Sequence, residues 1–157
     1  MRIKSLSRKI PSIPGIYALI FVIDRESAVR IGRLGVFNFS PGTYVYFGSA
    51  KGPGGLRARL SRHFSRKKRM HWHIDFLLAN HYTKPLAAVY SPTSSLVECD
   101  LVEKALHPFS AEVPVKGFGS SDCRRGCPAH LLKGLSVNSV TEIFRSLGLT
   151  PSVLMLI

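Results

Sequence analysis

The sequence predicts an α+β fold, a central antiparallel β-sheet flanked by helices, formed by one domain of 157 residues. Three observations carry that expectation. Apolar runs rich in β-branched and aromatic residues cluster early in the chain and are separated by tight turn signals, which favours antiparallel neighbours over a parallel α/β arrangement. Later segments repeat apolar residues every third or fourth position, the helical period. With 45% hydrophobic residues the chain can bury one proper core, yet it is too short for two ordinary domains.

Taken in order, Pro14-Gly15 ends a basic lead-in, and Ile16–Ile23 (IYALIFVI) has almost no polar alternation, as in a strand buried on both faces. After the polar turn Asp24–Ser27, Val29–Phe39 (VRIGRLGVFNF) partly alternates and reads as a half-exposed strand. Ser40-Pro41-Gly42 turns the chain into Thr43–Gly48, whose tyrosines two apart share one face. A three-stranded antiparallel meander is the economical arrangement. The flexible loop Ser49–Gly55 leads into Leu56–Phe64 (LRARLSRHF), an amphipathic helix that places Arg59 and His63 on one face. Helical patterns return at His71–Asn80 and Leu96–Leu106, with a fourth strand expected at Pro85–Tyr90. Pro114–His130 is loop by composition, Ser136–Leu147 a final helix closed by Gly148, and Val153–Ile157 an expected edge strand.

Charge narrows the function. There are 22 Lys and Arg against 9 Asp and Glu, a net charge of +13. The imbalance is a shortage of acids, so each acid is informative. Such a surface attracts polyanions, and nucleic acid is the commonest of these because phosphate neutralisation releases condensed counterions. A membrane is the weaker competitor. The sequence lacks the run of roughly 18 apolar residues that a span requires, and no apolar signal-peptide core follows the basic stretch Met1–Lys9. The three cysteines Cys99, Cys123 and Cys127 cannot form a complete disulfide set, which agrees with a reducing compartment, so a cytoplasmic location is expected.

The ordered set Gly15-Ile16-Tyr17, Tyr46-Phe47-Gly48, then Leu56–Phe64 with Arg59 and His63 resembles the catalytic core of the GIY-YIG nuclease superfamily over roughly residues 10–110. Within it the chain is most similar to a prokaryotic branch sometimes fused to endonuclease III-type DNA glycosylases. The shared marks are His71-Trp72-His73-Ile74-Asp75, Glu98-Cys99, and Gly117–Cys123 followed by His130, which extend the likeness across most of the chain. The resemblance implies one domain over residues 1–157, with the Cys/His-containing loop and last helix at 111–157. It implies a divalent-metal-dependent endonuclease acting on DNA rather than RNA, in repair or recombination. Two departures stand out: the segment between the tripeptides is longer than usual, and no Asn follows Glu98 until Asn138, leaving Ser120, Ser121 or Asp122 as substitutes.

Phosphodiester cleavage needs an activated water, neutralised phosphoryl oxygens and a helped leaving group. Glu98 matches the family position of the ligand for Mg2+ or Mn2+, and a hard cation suits one carboxylate plus waters. Arg59 is suited to a bidentate phosphate clamp. Tyr17 and Tyr46 would place phenols beside the attacking water, and Tyr17, the expected base by resemblance, requires nearby positive charge to lower its pKa. His63 would assist the water or leaving group.

Two further groups are candidates. Cys123, Cys127 and His130 carry ligands that favour a structural Zn2+, with Cys99, His71 and His73 available elsewhere; the bland alternative makes Cys99 a core residue and the loop residues merely clustered. The basic run supplies Arg57, Arg62, Arg66, Lys67, Lys68 and Arg69 as backbone-phosphate contacts, and His71 and His73 either line the same groove or approach the metal with Asp75. The rival to an enzyme is a non-catalytic nucleic-acid-binding module, zinc-stabilised or not.

Overall fold

A computed structural model describes residues 8–156. Met1–Ser7, in the basic lead-in, and Ile157, at the tail, lie outside the described residues. The chain runs β1 (Gly15–Ile23), β2 (Ser27–Ile31), a short 3-10 turn, β3 (Gly35–Phe39), β4 (Gly42–Ala50), α1 (Gly55–Phe64), α2 (His73–Leu78), β5 (Thr83–Pro92), α3 (Glu98–Leu106), β6 (Leu131–Lys133), α4 (Val137–Ser146) and β7 (Ser152–Met155).

The fold is α+β. A five-stranded antiparallel sheet has the order β6-β4-β1-β5-β7, and β2 and β3 form a separate hairpin. β1 is central and pairs along its whole length with β4 on one side and β5 on the other. Its unbroken apolar run follows from that placement, because both of its faces are covered. Tyr17, Leu19, Phe21 and Ile23 join one core with Leu56 and Leu60 of α1 and Ile74 and Leu77 of α2. Ile16, Ala18 and Ile20 face the other way, into a second core with Leu101, Val102 and Ala105 of α3 and Val140, Ile143 and Phe144 of α4. Helices therefore cover both faces of one sheet.

The expected three-stranded meander is not what forms. Both edges of β1 are taken by β4 and β5, so Val29–Phe39 has no place between them and folds on itself. Gly32 and Gly35 split the segment with positive φ of 49° and 129°, values that favour glycine. Only Ile31 and Phe39 of the hairpin are fully buried among its apolar residues, with Val29 and Phe37 packed partly against the core on the α1 side. The expected helices and the strands around Pro85–Tyr90 and Val153–Ile157 all appear, whereas β6 lies inside a stretch with no strand signal of its own.

Candidate active site and metal centre

The glycines of the two tripeptides act through close approach. A Cβ on Gly15 would lie 2.5 Å from the Ser91 carbonyl and 2.6 Å from Leu56 Cδ1, so glycine lets α1 and β5 close onto the start of β1. A Cβ on Gly48 would lie 2.3 Å from the Tyr17 hydroxyl. Glycine there leaves the space that this phenol occupies.

That phenol is hydrogen-bonded to His63 Nε2 at 2.6 Å, joining β1 to α1. Tyr46 presents its ring edge to His63 with centroids 6.1 Å apart, and Trp72 closes another side at 5.7 Å. Tyr17, Tyr46 and His63 are all buried. Burial raises the Tyr17 pKa well above its usual value; Tyr46 adds to the rise and Arg59 opposes it. Tyr46 is pushed up by burial and then by Glu98. His63 goes the other way: burial, with Lys68 adding to it, lowers its pKa to about 3. Of the positive charge expected to lower the Tyr17 pKa, Arg59 supplies a part that burial outweighs. Desolvation outweighs one cation, and without a divalent ion the pair is a neutral phenol against a neutral imidazole.

Arg59 is half-buried, stacks on Trp72 at 4.5 Å, and forms no ion pair among the described residues. Glu98 reaches the same region from the first position of α3, on the opposite core, and its charge acts on both phenols. Ser49, next after the second tripeptide, holds it twice. The Ser49 hydroxyl donates to Glu98 Oε2 and accepts the Glu98 backbone N–H at 2.9 Å. Ser49 is a site residue that the motif reading missed; its signal was its place directly after Gly48. No group of three potential ligands gathers around Glu98 among the described residues. A single half-exposed carboxylate fits a hard cation that keeps its waters and takes further oxygens from a phosphate.

Several of the expected phosphate contacts are committed elsewhere. Arg57 donates to the carbonyls of Ile10 at 2.7 Å and Arg8 at 3.2 Å, tying down the lead-in. Arg62 donates twice to the Asp75 carboxylate, both at 2.9 Å. Lys68 is pulled in by the His63 carbonyl at 2.7 Å and by Asp75 at 3.9 Å. Asp75 neither lines a groove nor approaches a metal: it is fully buried and also accepts the N–H groups of His71 and Trp72, each at 2.9 Å. Burial opposes its ionisation, but Arg62 and those backbone donors win and hold its pKa at about 2. His73 accepts the Gly119 N–H through Nδ1 at 2.8 Å, which makes it a loop anchor. Arg66, Lys67, Arg69 and His71 remain exposed as the free basic surface.

The loop before β6 wraps the β4 edge of the sheet and brings Cys123, Cys127 and His130 to Cys99 on α3. Their ligand atoms all lie within 4.8 Å of one another, so this Cys3His cluster can hold a metal ion. Cys99 Sγ is 3.5 Å from Cys123 Sγ and 3.7 Å from His130 Nε2, close to the ~3.8 Å edge expected for a tetrahedron with metal–sulfur bonds of about 2.3 Å. Burial raises the Cys99 and Cys127 thiols. Burial also opposes the Cys123 thiolate, but the Cys127 backbone N–H and the His130 imidazole lower its pKa to about 6. The loop is braced to α3 by Arg125, which donates to Asp100 at 3.0 Å and Glu103 at 2.5 Å.

Fold and site thus define a basic α+β domain with a buried tyrosine–histidine pair and an adjacent four-ligand cluster. Residues 16–149 match the family described as Domain of unknown function DUF123, and the chain belongs to that family. No curated protein and no solved structure matches the chain. No helix among the described residues is long and apolar enough to cross a membrane.

Proposed function

We propose that this protein is a GIY-YIG-type endonuclease that hydrolyses phosphodiester bonds in DNA with the help of a divalent cation. The observation that carries the reading is the 2.6 Å contact between Tyr17 and a buried, neutral His63, with Arg59 beside the phenol. Such a pair moves a proton without leaving a charge stranded on the tyrosine. As water attacks phosphorus, its proton passes to the Tyr17 oxygen while the Tyr17 proton passes to His63 Nε2; the bond from phosphorus to the leaving sugar oxygen breaks, and that oxygen takes a proton from solvent. His63, whose burial disfavours the imidazolium, returns its proton to Tyr17, which releases one to solvent and restores the neutral pair. Tyr46 borders the imidazole and keeps water out, and Arg59 clamps the phosphate. Glu98, oriented by Ser49, would hold Mg2+ or Mn2+, which would supply neutralisation of the phosphoryl charge. Exposed Arg66, Lys67, Arg69 and His71 give affinity for the strand without sequence choice.

The Cys3His cluster favours a second component, a structural Zn2+ at Cys99, Cys123, Cys127 and His130. Cys99 follows Glu98 on α3, so an ion there would fix the helix start that carries the catalytic carboxylate.

The test is cleavage of branched, flapped, damaged and single-stranded DNA with Mg2+ or Mn2+. Cleavage that disappears with EDTA and in Glu98→Gln supports the enzyme. Binding with steep salt dependence and no cut in any substrate replaces it with the non-catalytic module.

A further inference from the structure

Two guanidinium groups meet one indole. Trp72, the single tryptophan of the chain, has Arg59 Cζ and Arg62 Cζ over its ring, 4.5 Å and 4.1 Å from the centroid. Both arginines belong to α1, one turn apart on one face, and both are half-buried. Their other partners differ. Arg62 gives two N–H groups to the buried Asp75 carboxylate, whereas Arg59 forms no ion pair among the described residues. The ring attracts a cation without neutralising it, so Arg59 keeps its charge where Arg62 has a counterion.

The indole is itself held in place. Asp75, the third residue of α2, accepts the Trp72 backbone N–H at 2.9 Å, so one carboxylate anchors both the backbone that carries the ring and the arginine that has a counterion. The His63 ring meets the indole with centroids 5.7 Å apart, and Trp72 packs against the core on the α1 side. Filling that space asks only for an apolar side chain. Drawing a cation to a set place beside the Tyr17 phenol asks for the negative face of an aromatic ring. A carboxylate there would hold Arg59 as well, but it would cancel the charge that a phosphate needs.

We propose that Trp72 is the positioning residue for Arg59, an aromatic face that sets the guanidinium for a phosphate while leaving its charge and N–H donors available. Trp72 acts through Arg59 and touches no substrate. The inference rests on the endonuclease reading and adds to it the residue that aims the phosphate clamp. Engagement of a phosphate by Arg59 is then felt at the indole, which makes the sole tryptophan a reporter of the clamp.

The experiment compares single-turnover DNA cleavage with Mg2+ in wild type, Trp72→Leu, Arg59→Ala and the double variant. Trp72→Leu should cut about tenfold more slowly, within the range of a partly desolvated cation–π contact. Trp72→Phe, which keeps a smaller ring, should recover most of that loss. In the Arg59→Ala background Trp72→Leu should slow cleavage by less than about twofold more, because the group it acts through is gone. A further tenfold loss there assigns Trp72 to His63 or to the core and overturns the proposal. So does a folded Trp72→Leu protein that cuts as fast as wild type, or a Trp72→Phe protein no faster than Trp72→Leu. Should Trp72→Leu fail to fold, the indole gives a second readout. Duplex DNA added in EDTA should change the Trp72 emission of wild type, and Arg59→Ala should lose that change while anisotropy of labelled DNA still shows binding through Arg66, Lys67 and Arg69. An equal change in Arg59→Ala, or none in wild type that binds, overturns the proposal as well. An emission change that depends on Arg59, without cleavage under any divalent ion, removes the nuclease and keeps the pair. Cleavage with an emission indifferent to Arg59 does the reverse.

Discussion

Replacing Asp75 by alanine should be among the most damaging single changes in this protein, though the residue touches no proposed substrate. Its carboxylate is fully buried and accepts two N–H groups from Arg62 and one each from the backbones of His71 and Trp72, all at 2.9 Å. Removal leaves the Lys68 ammonium, whose side chain is 8% exposed, and the Arg62 guanidinium, 28% exposed, without their anion. Breaking a buried pair costs about 3–5 kcal/mol, and partial access of water to Arg62 draws the figure to the lower half of that range. For a chain of this size each kcal/mol lowers the midpoint by about 2–4 °C, so a fall of roughly 6–16 °C is expected. Urea denaturation followed by circular dichroism gives the free energy directly. Removing Arg62 as well should restore part of the loss, because the surviving charge was the penalty. A loss below about 1 kcal/mol in Asp75→Ala would mean that the clamp behaves as an ordinary solvated pair.

Tyr17→Phe and Glu98→Gln should each lower cleavage by about 10²-fold or more, read in a single-turnover nicking assay; Glu98→Gln should leave the melting temperature nearly unchanged, whereas Tyr17→Phe should lower it by a few degrees because the buried His63 Nε2 loses its partner. Gly48→Ala should do comparable harm by another route: a Cβ 2.3 Å from the Tyr17 hydroxyl must displace the phenol from His63, and a crystal structure with the 2.6 Å contact intact refutes that account. Elemental analysis should find about one zinc per chain, lost in Cys123→Ser together with thermal stability; an apoprotein that melts at the same temperature as the zinc form would contradict a structural role. On acidification the signs agree. His63 has a folded pKa of about 3 against an ordinary 6.5, so stability falls as pH drops below 6.5 towards 3. Asp75, about 2 against 3.8, adds a loss as pH falls through that lower window. His63→Phe should flatten the upper part of this slope, measured as unfolding free energy at stepped pH, and an unchanged slope would assign it to other groups.

Local pattern made much of this legible from residues alone. Arg59 and His63 are readable because a four-residue step on a helix fixes a shared face, and Tyr17 because Gly15-Ile16-Tyr17 and Tyr46-Phe47-Gly48 occur in order ahead of that helix. What failed was whatever depends on a distant partner. Arg62 and Arg59 occupy the same helix with the same charge, and only Asp75 thirteen residues on separates the tethered cation from the free one. Cys99 became the fourth member of a ligand cluster through a wrap of chain to residues Cys123–His130, which no spacing rule anticipates. The hairpin at Val29–Phe39 was misread as a sheet strand because its two glycines, three apart, carried more information than its alternation.

β1 is paired on both sides, with one register break against β5 between Ile20 and Phe21, and is sealed above and below, so its amides should be among the last to exchange with deuterium. Tyr17 sits on that strand, whereas the hairpin, β6 and β7 are peripheral. Partial openings of the rim would then come and go while the phenol stays registered, and only global unfolding would erase its position.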